Sequence, residues 1–98
     1  MNTDLIDLAI ELGLSAIKTA NGVIIKGKDW ASKEITNDGH LRNTVRKHIF
    51  LNRASFADSY QTLTTAFNKS GSPVLREAHA VVSTRLKRIS KLFPEVKF

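Results

Sequence analysis

Apolar positions recur at helical spacing at both ends of this 98-residue chain, and between them lies a run that reads as strand. Leu5, Leu8, Ala9 and Leu12 follow steps of three or four, and Ile6 and Ile10 widen the same face. The spacing predicts a first helix over about 4–12, with Thr3 as its N-cap because a hydroxyl there accepts from the free amides of the first turn. Asp4 and Asp7 suit the positive end of that helix dipole. Gly13 supplies a left-handed stop, with Leu14 folding back on the last turn.

Two β-prone runs, 16–20 and 23–26, flank Asn21-Gly22. That dipeptide fits a two-residue type I′ turn, in which both positions need positive φ. A hairpin ending at Gly27 is expected. The competing arrangement extends the first helix to Lys18 and makes Asn21-Gly22 its C-cap, but Gly13 and Val23-Ile24-Ile25 both oppose it. Residues 29–35 are expected as one short helix capped by Asp29 and broken by Thr36-Asn37-Asp38-Gly39.

Beyond residue 39 the period is helical. Leu41, Val45, Ile49, Asn52 or Arg53, Phe56, Tyr60, Leu63 and Phe67 predict either one helix of about 40–68 or two with a joint at Ser55. Ser55 followed by Asp58 resembles a capping box, so the pattern leaves both readings open. Lys69-Ser70-Gly71-Ser72-Pro73 predicts a turn, with Ser72 as N-cap and Pro73 at the first helical position. Leu75, Ala78, Val82, Leu86 (or Arg85), Ile89 and Phe93 then form one seam over about 73–92, and Pro94 ends it. Matching stripes joined by a short turn predict an antiparallel helical hairpin. The expected fold is α+β and mostly α, in a single domain: a short helix and β-hairpin in 1–39, then a basic helical hairpin in 40–98.

Composition narrows the class. A chain 42% hydrophobic and 24% charged has the balance of a globular domain and not of a disordered one. At this length it buries roughly 60–70% of its unfolded surface, enough for one modest core. The absence of cysteine excludes disulfides and thiolate metal sites. No apolar run approaches the ~18–20 residues of a membrane span, and Met1-Asn2-Thr3-Asp4 lacks the basic start of a secretory leader. A cytoplasmic protein without membrane contact is expected.

Charge is the most informative property. Residues 1–39 carry four bases against six acids, a balance of −2, whereas residues 40–98 carry eleven bases against three acids, a balance of +8. A field of that sign draws polyanions or an acidic protein surface towards the second part. Arg42, Arg46, Lys47 and Arg53 occur without an acid in 40–53, as do Arg85, Lys87, Arg88 and Lys91 in 85–91. Arginine predominates, and guanidinium groups make bidentate contacts to phosphate or carboxylate. Complementing a helix C-terminus accounts for Arg88 and Lys91 but not for Arg42 or Arg46 near a helix start. In an antiparallel pair the two sets are expected to merge into one electropositive strip.

Catalytic chemistry finds no footing. His40 and His48 are eight apart, too far for ligands on one helical turn, and with His79 they are expected as surface or edge residues. No serine lies in a nucleophile elbow, and no glycine-rich phosphate loop is present. Asp4, Asp7 and Glu11 line one helical face, which a solvated acidic surface explains better than a divalent metal. No enzyme activity, cofactor, metal or small-molecule substrate is therefore expected. Phe50, Phe56, Phe67, Phe93 and Phe98 are expected in the core, which leaves little for single-strand stacking. Trp30, after a turn, is a candidate partner contact, as are Ser72 and Pro73 at an exposed tip.

The expected function is that of a small non-enzymatic accessory protein in nucleic-acid transactions, binding DNA or RNA backbone through its basic helices. The 69–73 turn fits a reversal of direction better than a tight helix–turn–helix crossing, so base-specific reading is not expected. The alternative is a modulator of phage or mobile-element type. It would occupy an acidic surface or nucleic-acid channel of a larger host enzyme, such as a DNA-processing one.

Overall fold

Among the described residues three helices and two strands appear in the order α1 (Thr3–Glu11), β1 (Ser15–Lys18), β2 (Val23–Lys26), α2 (Asp38–Ser70) and α3 (Pro73–Leu92). This is a computed structural model that describes residues 2–96, so Phe98 lies outside the described residues. The chain forms two units, and the boundary falls inside α2 between His48 and Ile49.

In the first unit the N-cap of α1 is Asn2 and not Thr3. The Asn2 side-chain oxygen accepts from the amides of Asp4 at 2.9 Å and Leu5 at 3.3 Å. An amide oxygen reaches both donors from an extended cap residue, and Thr3 becomes the first helical position. The Asn2 amide in turn donates to Asp38 Oδ1 at 2.7 Å, tying the start of α1 to the start of α2. The far end of α1 closes as expected. Gly13 has φ +92°, its amide donates to Ile10 O, and the Leu14 amide donates to Ala9 O. Those two bonds make a Schellman motif, and Leu14 is buried beside the last turn.

The β-hairpin forms, but shifted. Its register pairs Ser15 with Lys26, Ala16 with Ile25, Ile17 with Ile24 and Lys18 with Val23. The turn therefore centres on Ala20-Asn21, one residue earlier than expected, and neither Asn21 nor Gly22 has positive φ. The type I′ turn is absent because Thr19 closes the loop differently. Its amide donates to Gly22 O at 3.0 Å and its hydroxyl accepts from the Gly22 amide at 3.0 Å.

Residues 29–35 are not a helix. They return along the free edge of β2, where the amides and carbonyls of Val23 and Ile35 exchange two bonds at 3.0 and 2.7 Å. Ser32 donates from its amide to Ile25 O, and its hydroxyl accepts from the Ile25 amide. The unsatisfied edge of β2 thus outweighs a weak local helix signal. Leu5, Leu8, Ala9, Leu14, Val23, Ile25, Ile35, Leu41 and Val45 are the buried apolar residues of this unit.

Of the two readings of 40–68, the single helix is found. α2 runs unbroken for 33 residues, and Asn37 caps it by accepting the His40 amide at 2.8 Å. Ser55 is an exposed interior position. In the second unit, Gly71 with φ +63° ends α2, its amide bonded to Phe67 O at 2.7 Å. Ser72 is extended and Pro73 opens α3 as expected, although the Ser72 side chain makes no capping bond. Ile49, Ile89, Phe93 and Val96 are buried here. Phe56, Tyr60, Leu63 and Phe67 of α2, with Leu75, Ala78, Val82 and Leu86 of α3, are half-buried, since two helices alone cover each other on one side only. No helix among the described residues is long and apolar enough to cross a membrane.

Candidate nucleic-acid interface

The alignment of α2 and α3 in the second unit is pinned by a polar contact across the seam. His79 Nε2 lies 3.0 Å from Thr64 Oγ1, and the Thr64 hydroxyl donates to Tyr60 O at 2.9 Å. With the threonine proton on Tyr60 O, the Thr64 oxygen is left to accept from a His79 that carries its proton on Nε2. The ring packs against Tyr60 at 5.1 Å and is stacked on Phe67 at 5.8 Å. His79 is therefore a half-buried seam residue and not a surface one. His48 is also half-buried, with Nε2 3.4 Å from Leu12 O, whereas His40 is exposed in the first turn of α2.

In an antiparallel pair, each step forward on one helix is a step back on the other. Thr64 opposite His79 thus sets Tyr60 level with Ser83 and Arg53 level with Ser90. A shallow groove across both helices, lined by Tyr60, Ser83, Leu86, Lys87 and Ser90, lies where this alignment requires it. At about 100° per residue, Arg53, Tyr60 and Thr64 share one flank of α2. His79, Ser83, Lys87 and Ser90 share the facing flank of α3, with Lys91 about 40° beyond Lys87. Arg53, Lys87 and Lys91 are all exposed. One side of the hairpin thus carries exposed Arg53 and Lys87 beside a mainly apolar groove of which Lys87 forms the cationic wall, and exposed Lys91 lies further round α3.

Arg85 and Arg88 project from the other flank of α3. Both are half-buried, and each already interacts within the chain. Lys87 is thereby turned about 160° away from Arg85, while Lys91 lies between Lys87 and Arg88 on the outer face of α3. In the first unit, Arg42 is half-buried and likewise engaged, while Arg46 and Lys47 are exposed and lie about 100° apart around α2.

Phe50 is not a core residue: it is 52% exposed, and the Arg53 guanidinium carbon sits 4.1 Å from its ring centroid. Phe56 and Phe67 are half-buried and Phe93 is fully buried. A helical projection already holds the signal for Phe50, because it stands one step past the seam residue Ile49 and three from Arg53, on the basic flank. Trp30 is 40% exposed, with its indole covering the α-carbon of Gly27. Ser72 is half-buried and Pro73 exposed at the turn. Comparisons with protein-family models, curated proteins and solved structures find no match to this chain.

Proposed function

We propose that this chain is a non-enzymatic accessory protein in nucleic-acid transactions, and that it binds DNA or RNA backbone through the basic side of its helical hairpin. The observation that carries the reading is the exposure of Arg53 and Lys87 on one flank of the hairpin, with exposed Lys91 next to them, in a half of the chain with a balance of +8. No acid occurs in 40–53 or in 85–91 to neutralise them. Helical spacing lets such cations follow phosphates, and Ser83 and Ser90 add hydroxyl donors beside them.

Counterion release makes the reading quantitative. Each phosphate neutralised adds about −0.9 to the slope of log affinity against log salt on duplex DNA. Fluorescence anisotropy of a random duplex over a salt series is the test, repeated on the variant Arg53→Gln/Lys87→Gln/Lys91→Gln. The slope is expected to flatten by about 3. A variant that keeps the wild-type slope refutes the assignment to this side.

A second reading, a modulator docked on an acidic surface or nucleic-acid channel of a larger enzyme, draws on Val74 and Val81, which are 75% and 53% exposed on α3. A polyanion gains nothing from these side chains, whereas a protein partner does. A photocrosslinking residue at position 74 that captures a defined host enzyme, with no nucleic acid bound at low salt, supports this reading over the first.

A further inference from the structure

Resting on that reading, we infer that Phe50 and Arg53 form a stacking site for an unpaired base, which gives the chain a preference for single-stranded over duplex nucleic acid. Phe50 leaves about half of its surface in solvent, at 52%, on the basic flank of α2 and off the seam that would bury it. Arg53, one turn on, lies over the ring at 4.1 Å. A guanidinium held there by the ring quadrupole restrains both side chains, so less freedom is lost when a base arrives.

The surroundings supply the rest of a single-strand site. Such sites combine an aromatic face for the base with a cationic groove for the backbone. Arg53 stands level with Ser90, which with Tyr60, Ser83, Leu86 and Lys87 lines a mainly apolar groove whose cationic wall is Lys87. A base on Phe50 therefore has its own phosphate within the field of Arg53, and the next phosphates run towards Lys87. A duplex presents phosphates to the same cations but keeps its bases stacked inside, so it leaves Phe50 unused.

The discriminating experiment compares a labelled oligothymidine with a random duplex of equal length, at one moderate salt concentration, for wild type, Phe50→Ala and Phe50→Trp. Phe50→Ala is expected to weaken single-strand binding about 5- to 150-fold, the range for losing one base–aromatic stack. Duplex affinity is expected to change less than about twofold, and the salt slope on duplex to stay as in wild type. Phe50→Trp, which keeps a stacking face, restores single-strand affinity. Equal loss on both substrates, or no loss on either, overturns the stacking site while leaving the backbone reading intact. Wild type that binds neither substrate at low salt overturns both.

Discussion

Removing the bond between His79 and Thr64 tests the alignment on which the groove and the basic side depend. Thr64→Val deletes the acceptor at nearly constant volume, and His79→Phe deletes the donor while keeping a ring beside Tyr60 and Phe67. A net hydrogen bond between neutral groups contributes about 0.5–1.5 kcal/mol, and at these half-buried positions about 1 kcal/mol is expected. Thr64→Val also loses the hydroxyl bond to Tyr60 O, but that loss occurs in the single and double variants alike and cancels in a double-mutant cycle. Urea unfolding of the four proteins by circular dichroism yields the coupling energy directly. Each single variant should also melt roughly 4–8 °C lower. Imidazole nitrogen NMR should find the proton on Nε2. A coupling below about 0.3 kcal/mol refutes the alignment, whereas a proton resident on Nδ1 reverses only the direction of the bond.

The two cap positions should behave differently. Asn2→Ala forfeits two accepted bonds and should cost about 1 kcal/mol in thermal or urea unfolding, whereas Ser72→Ala, which removes no capping bond, should stay within about 0.5 kcal/mol of wild type. Gly27→Ala places a methyl group where the Trp30 indole now lies, so the ring must swing into water. A red shift of tryptophan emission should accompany a loss of about 1–3 kcal/mol, and an unchanged spectrum would contradict the packing.

Where one periodic signal dominated, the sequence was readable. The seam from Leu75 to Phe93 and the punctuation by Pro73 and Pro94 mark the bounds of α3, and Gly13 marks the end of α1. The shifted hairpin turn follows from the closure of Thr19 on Gly22, and the missing short helix from pairing on the edge of β2. Cap chemistry at Asp29 is local, whereas the edge of β2 is satisfied by Ile35 and Ser32, twelve and seven residues on from their β2 partners Val23 and Ile25. Long-range backbone pairing of that kind leaves no local trace. The basic residues were visible as a composition, but their division was not. Arg85 separates from Lys87 only once the seam of α3 has a direction, and His79 joins that seam through Thr64, Tyr60 and Phe67, twelve or more residues away on α2.

Burial along the hairpin is graded: Ile49, Ile89, Phe93 and Val96 are fully enclosed, and no residue from 50 to 88 is. Cooperative units open where enclosed apolar surface is scarcest. Fraying should therefore start at the Gly71 bend and run down both strands of the zipper towards residues 49 and 89, so that the ends of α2 and α3 nearest the bend exchange their amide hydrogens first. A ligand clamped across Arg53 and Lys87 would fasten the zipper partway along its length, and its arrival would be felt as slower exchange at sites it never touches.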